Sequence, residues 1–132
     1  MRVLVIMLCA CLASCMPATI NNLKSVSAPD RIMTDMPYQA AYRDVRQYLE
    51  TCASLGFIFA SSSLQGNLYT DIKTGELTVN YNNMGDRSVL VHIELRDFEG
   101  RTEIISYANP HWKSFNKFLK AHVVERSQEC FR

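Results

Sequence analysis

Three histidines and a run of serines are the side chains of this sequence that could do acid–base or nucleophilic chemistry. Ser61–Ser63, His92 and Asp97 supply the residue types of a serine hydrolase. No Gly-x-Ser-x-Gly elbow holds these serines, and a chain of this size contains such triples by chance. His111 and His122 are eleven residues apart, about three helical turns, which is too far for one metal ion. We therefore expect surface or rim histidines, no catalytic residue, no metal site and no cofactor.

The N-terminal segment is the second place where the sequence indicates chemistry. Eleven apolar residues, Val3–Ala13, follow the positive charge of Arg2, and small residues stand directly before Cys15. A bilayer-spanning helix needs about 20 apolar residues, so this run is too short to be a stable anchor by itself. A charged start, a short apolar run and a small-residue end are typical of a secretory signal. The pattern predicts export, with residues 1–14 as the signal peptide.

The end of the apolar run, Leu12-Ala13-Ser14-Cys15, resembles the lipobox of bacterial lipoproteins. That resemblance implies cleavage before Cys15, a diacylglyceryl thioether on its sulfur and an acylated amine. Several acyl chains such as palmitate hold a protein on a membrane far better than one chain. Met16, rather than an aspartate, follows the cysteine, which implies an outer-membrane anchor with the domain in the periplasm. The alternative is an ordinary cleaved signal with Cys15 as an incidental thiol.

Two cysteines remain in the exported chain, because Cys9 and Cys11 leave with the signal and Cys15 carries lipid. In an oxidising compartment two remaining cysteines usually pair. We therefore predict a structural disulfide between Cys52 and Cys130. A redox pair would need Cys-x-x-Cys spacing, and a metal site would need further ligands at suitable spacing.

The charges of the exported chain balance. Removal of Arg2 leaves 13 basic and 13 acidic residues, which are mixed along the sequence. A nucleic-acid or anionic-lipid surface requires a basic stripe or a polybasic patch, and the sequence contains neither. We expect no nucleic-acid partner, and the length allows one domain.

The sequence divides after the signal into a linking segment and a domain. Residues 15–36 are polar, contain Pro17 and Pro29 and show no sustained period, so they are interpreted as the lipidated N-terminus and a flexible tether. The alternative is a partly ordered tether packed on the domain. Residues 37–132 are interpreted as a single domain.

Hydrophobic periodicity predicts the elements of that domain. Apolar positions recur at helical spacing from Pro37 to Cys52, and three of them are tyrosines. Alternating patterns then predict strands over 67–71, 76–82, 87–98 and 101–108, with a hairpin turn at Glu99-Gly100. Asn109-Pro110 begins a second amphipathic helix.

These elements predict an α+β fold of two layers. A helix, an antiparallel meander of three or four strands and a second helix follow one another, with both helices on one face of the sheet. This order, with a disulfide near the C-terminus, resembles a group of small uncharacterised lipoproteins of Gram-negative bacteria. The resemblance supports the fold and implies no known activity.

The face of the sheet away from the helices is the candidate partner surface. It mixes apolar with charged residues, as protein contacts do, and comprises Leu90, His92, Glu94, Ile105 and Tyr107. The alternative is that the tether or loops cover these residues. The sequence thus predicts a non-enzymatic interaction or scaffold module with an envelope partner. The other candidate is a small-ligand-binding or envelope stress lipoprotein, with a pocket between the tyrosines of the first helix and the sheet.

Overall fold

An antiparallel sheet of six strands organises the structure, and its second strand has only two residues. The structure is a computed structural model that describes residues 16–53, 56–57, 60–112 and 114–131, with only the backbone described at positions 56, 57 and 60. The predicted signal peptide and Cys15 lie outside the described residues. The sheet order is β1-β6-β5-β4-β3-β2, and every neighbouring pair is antiparallel. The elements in chain order are α1 (Ile20–Val26), β1 (Asp30–Thr34), α2 (Tyr38–Cys52), β2 (Gly56–Phe57), β3 (Ala60–Tyr69), β4 (Thr74–Asn83), β5 (Asp86–Phe98), β6 (Arg101–Ala108), a 3-10 turn (Pro110–Trp112) and α3 (Phe115–Glu125).

The main core lies between one face of the sheet and the two longer helices, which confirms the predicted α+β architecture. The helical spacing of the apolar residues in α2 and α3 gives each helix a single apolar stripe, and that stripe is buried. The strands contribute one face by alternation. The core includes Val45, Leu49, Phe115 and Leu119 from the helices and Leu77, Val79, Val91, Ile93, Leu95 and Ile104 from the sheet.

Tyr42 fixes how closely α2 approaches the sheet. Its ring lies across the backbones of two glycines on neighbouring strands, Gly66 and Gly75. A Cβ atom on Gly66 would lie 2.3 Å from the Tyr42 hydroxyl oxygen, and one on Gly75 would lie 2.8 Å from its ring. Both positions therefore require glycine for a packing reason.

The sheet differs from the predicted meander in its extent and in one detail of register. Three of the four predicted strands of the meander lie at nearly the predicted places. The fourth, β3, covers residues 60–69 rather than 67–71. A serine-rich segment has weak strand propensity, and its pairing with β4 along the whole length makes it a strand. A β-bulge between Val79 and Asn80 also makes Leu90 an extra residue in β5.

The first described residues are not a flexible tether, so that prediction is wrong for residues 16–34. We call these residues the strap. Thr19 caps α1 by accepting a hydrogen bond from the Asn22 amide, and Leu23 on this helix is fully buried. β1 then pairs with β6 over five residues. The alternative weighed from the sequence, an ordered segment packed on the domain, describes the strap.

The tail, residues 126–131, returns to the end of α2. Cys130 is bonded to Cys52, with 5.2 Å between their Cα atoms, which confirms the predicted disulfide. Phe131 packs against Trp112 and Phe115, with ring centroids 4.7 and 4.9 Å apart. The tail is therefore held by a covalent bond and by an aromatic cluster.

Candidate functional site

The predicted partner surface is largely covered, and its set of residues does not lie on one face. Leu90 belongs to the helix-side core because the bulge in β5 turns it to that side, and Val89 takes its place on the other face. His92 and Leu90 are each 2% exposed, and Ile105 is also buried. Only Glu94 and Tyr107 keep partial exposure. The prediction of an open face is wrong because α1 of the strap packs on β5 and β6.

A polar cluster fills the space beneath α1. His92 Nδ1 lies 2.9 Å from the Thr78 hydroxyl oxygen, and His92 Nε2 lies 3.4 Å from Glu94 Oε1. Glu94 also accepts a hydrogen bond from the Lys24 ammonium of the strap, which lies 5.0 Å from the centre of the Tyr107 ring. A neutral imidazole satisfies both contacts, with Nδ1 accepting from Thr78 and Nε2–H directed at Glu94.

The charges in this cluster depend on one another. Burial lowers the pKa of His92, although the Glu94 carboxylate acts in the opposite sense. Burial would raise the pKa of Glu94, but the hydrogen bond and charge of Lys24 outweigh it and hold the value below its usual range. The hydrogen bond to Glu94 raises the pKa of Lys24. The cluster therefore joins the strap to the sheet through groups whose contacts depend on pH.

His122 lies in the other cluster that could suggest acid–base chemistry. It stacks on Tyr48 with 4.4 Å between ring centroids, and its Nδ1 lies 2.9 Å from the Ser127 carbonyl oxygen. Its Nε2 lies 3.1 Å from Asp44 Oδ2, an ion-pair distance without hydrogen-bond alignment. Arg126 holds both oxygens of Asp44 at 3.2 Å. These contacts join the end of α3 and the start of the tail to α2, so the geometry of the cluster is that of a structural clamp.

The two histidines were expected at the surface, and both are buried. Among the three predicted surface histidines, only His111 is exposed. A signal for the burial of His122 was present in the sequence, since this residue lies on the apolar stripe of its helix. No comparable signal existed for His92, because its cover comes from a segment more than sixty residues earlier in the chain.

A group of exposed apolar residues lies at one end of the sheet, where the β3–β4 and β5–β6 turns are. We call Tyr69, Ile72 and Phe98 the distal patch. Ile72 is 65% exposed and Phe98 is 53% exposed. The Asp97 amide donates to the Lys73 carbonyl oxygen at 3.0 Å, which brings the two turns together. The sequence analysis did not predict this exposed apolar surface, because its residues lie in or beside two separate turns.

Grooves in the surface are the other places where a ligand could bind. The space predicted for a ligand between the α2 tyrosines and the sheet is filled, because Tyr42 contacts the two glycine backbones directly. A groove of about 200 Å³ lies between the C-terminal end of α2 and β3, beside Leu49 and Leu64. Drug-sized ligand sites usually have 300–1,000 Å³, so this groove is small for such a ligand. A wider, open groove of about 790 Å³ runs from Met33 to Val124, with Arg101 and Arg126 on its rim.

Two further findings concern the described part of the chain. Its His, Cys, Asp and Glu residues form no group of three or more that could hold a metal ion. None of its helices has the length and apolar character needed to cross a membrane. Comparison of the whole chain with protein-family models, with curated proteins and with solved structures finds no match.

Proposed function

We propose that this chain is a lipid-anchored protein of the bacterial envelope that acts as a non-enzymatic interaction or scaffold module. The observation that carries the proposal is that, among the described residues, Pro17 is already packed into the fold only two residues after the lipobox cysteine. Pro17 is buried, and its carbonyl oxygen accepts a hydrogen bond of 2.7 Å from the Val89 amide. A lipid on Cys15 would therefore hold the domain close to the membrane through a very short connection.

This attachment would give the domain a defined orientation. Val89 lies near the start of β5, beside the turn that carries the highly exposed Met84. Phe98 ends the same strand nine residues later, about 30 Å away at 3.3 Å per residue. The Met84 turn would face the membrane, and the distal patch would point away from it, towards a partner.

The chemistry of the distal patch favours a protein partner. Its apolar side chains are surrounded by charges of both signs, including Asp71, Lys73, Glu99 and Arg101. An apolar centre with a charged rim is the usual composition of a protein–protein contact. The partner expected from this composition is another envelope protein with an apolar patch inside a mixed-charge rim.

The anchor is tested by replacing the cysteine. We expect Cys15→Ala to move the protein from the membrane fraction to the soluble fraction, with loss of the acyl mass from the N-terminal peptide. An unchanged membrane fraction, or a wild-type N-terminal peptide without lipid, would contradict the anchor.

The partner surface is tested separately by in-cell crosslinking with identification of the captured protein. Phe98→Asp should remove a specific partner, whereas Val124→Asp should retain it. Val124 is the matched control, because it is 54% exposed on α3 and lies outside the distal patch. Equal capture by both variants would exclude the distal patch as the contact, and it would leave the result of the anchor experiment unaffected.

A further inference from the structure

The two edges of the sheet differ in their protection against pairing with another strand. β1 has five residues and carries Asp30 and Arg31, so it is short and charged. β3 has ten residues, ASSSLQGNLY, with no charge and no proline. Short length, charge, proline and bulges are the devices that normally protect an edge strand. β3 has none of these, since its register with β4 is continuous from Ala60 to Tyr69.

Most of the outer edge of β3 is open in the described part of the chain. β2 pairs only with Ala60 and Ser61. Beyond Ser62, the segment Ser63–Tyr69 pairs on one side with β4, and no described strand pairs with its other side. In an antiparallel strand, alternate residues direct their backbone N–H and C=O groups to opposite sides. This edge therefore presents backbone donors and acceptors that fit an added strand.

The segment is self-complementary. Leu64-Gln65-Gly66-Asn67-Leu68 has an amide and then a leucine in either direction from Gly66. A second copy paired antiparallel about Gly66 would set Leu64 opposite Leu68 and Gln65 opposite Asn67. The leucines share the helix face of the sheet, because they pair with Val79 and Gly75, and the amides share the other face. Leucine would meet leucine, and amide would meet amide, on both sides of a twofold axis.

Charge and sterics are compatible with this pairing. The segment carries no ionisable group other than the Tyr69 hydroxyl, so no like charges oppose each other across the axis. α2 runs from Tyr42 above Gly66 towards Ala53, whose carbonyl oxygen accepts from Ser62. A twofold axis at Gly66 would therefore direct the two α2 helices away from each other along the joined strands. β2 occupies the place beside Ala60 and Ser61 where residues 71–72 of the second copy would come, and those residues lie beyond the end of its β3, so the two need not overlap.

We propose that two copies of this chain pair through β3, antiparallel and centred on Gly66, to form one continuous sheet of twelve strands. The occupant of the open edge is thus a second copy. This inference does not use the lipid anchor, and it shares only Tyr69 with the distal patch.

Disulfide trapping tests the register of the pairing. Full-length chains with two different tags, one carrying Gln65→Cys and the other Asn67→Cys, are mixed, purified in a mild detergent and treated with a mild oxidant. We expect a crosslinked species that contains both tags, because directly opposite residues have Cβ atoms about 5 Å apart. Ser63→Cys is the control, since its two copies would lie about 20 Å apart and should not crosslink.

A charge substitution tests the dimer without any crosslink. Light scattering and sedimentation of the full-length chain should give the mass of two chains for the wild type and of one chain for Asn67→Lys. Met33→Lys places the same charge on the opposite sheet edge and should leave the dimer intact. Three outcomes would overturn the proposal. The wild type could be a monomer throughout the micromolar range, the dimer could survive Asn67→Lys, or Ser63→Cys could crosslink as efficiently as the Gln65→Cys and Asn67→Cys pair.

Discussion

The strap and the tail both wrap around the sheet, but they are attached by different kinds of interaction. The tail is bonded through Cys130 and packed through Phe131. Within the described residues, no disulfide holds the strap. It is attached by the buried Leu23 side chain, by the Lys24–Glu94 contact and by the pairing of β1 with β6. Local opening free energies differ between such regions. We therefore expect the strap to open before the tail, especially at acid pH.

The largest expected effect comes from removing the covalent attachment of the tail. Replacing both Cys52 and Cys130 with alanine opens a loop with a sequence separation of 78 residues. Loop-closure entropy then predicts a loss of up to about 4 kcal/mol in the free energy of unfolding. Urea unfolding measures this loss. A loss of less than about 1 kcal/mol would show that the aromatic cluster and the Asp44 clamp hold the tail without the disulfide.

The next effect should come from the buried residue of the strap. Leu23→Ala removes a fully buried side chain, which costs about 3 kcal/mol at such sites. Hydrogen exchange should become faster in α1 and β1 and stay slow in α2, because the loss is local to the strap. Val26→Ala is the matched control on the same helix, since its side chain is 56% exposed and should change stability by less than about 0.5 kcal/mol. Uniformly faster exchange across all helices would contradict independent opening of the strap.

A smaller effect is expected from the clamp at the start of the tail. Asp44→Asn keeps the shape of the side chain but removes the charge that faces His122 and Arg126. We expect a loss of about 1–2 kcal/mol in thermal or urea unfolding, since the carboxylate is partly shielded from solvent and its ion pairs are lost. Asp35→Asn is the control, because Asp35 pairs with Arg101 at an exposed site and such pairs contribute little. Equal effects of the two substitutions would remove the distinction between the clamp and an ordinary surface ion pair.

The smallest and most specific effect is the dependence of the strap on pH. Burial lowers the pKa of His92 below its ordinary value of 6.5, so the packed state binds fewer protons than the detached state. The stability contributed by neutral His92 is therefore complete above about pH 6.5 and is lost as the pH falls through the lowered value. The pKa of Glu94 is also lowered, which extends the loss below its ordinary value of 4.5. The groups that face His92 are Lys24 from α1, Glu76 from β4 and its own neighbour Glu94.

Hydrogen exchange of the α1 amides, corrected for the intrinsic effect of pH, measures this dependence. Protection should fall between pH 7 and pH 5 in the wild type and in the exposed-site control His111→Gln. His92→Gln should remove most of the difference. A wild-type strap with equal protection at both pH values would contradict a role for His92 in its attachment.

Local patterns in the sequence predicted those elements that have a single strong period. The tyrosine-bearing stripe of α2, the alternation of β4, of β6 and of β5 from Val91 onward, and the turn at Glu99-Gly100 are present as predicted. The disulfide followed from elimination among five cysteines together with the expected export. The strap was missed because it contains only one short helix and one five-residue strand. Elements of that size have too few residues to establish a period.

The candidate site was harder to predict, and its residues show why. The position of Leu90 depends on a bulge, which shifts every later side chain of the strand by one residue relative to its partner. Burial of His92 depends on α1, which approaches from a distant part of the chain. The distal patch combines residues in or beside two turns, whose proximity follows from the registers of four strands.

The sequence by itself determined the fold class, the disulfide and the segments with helical or alternating period, because each of these depends on local spacing or on residue count. Tertiary structure decided which face of the sheet stays open, which histidines are buried and where the apolar surface collects. Those properties depend on contacts between residues far apart in the chain, and one short helix packed on the sheet is enough to reverse them. Pairing with β4 likewise makes β3 a long uncharged edge strand, whereas the sequence had indicated a strand only from residue 67 onward.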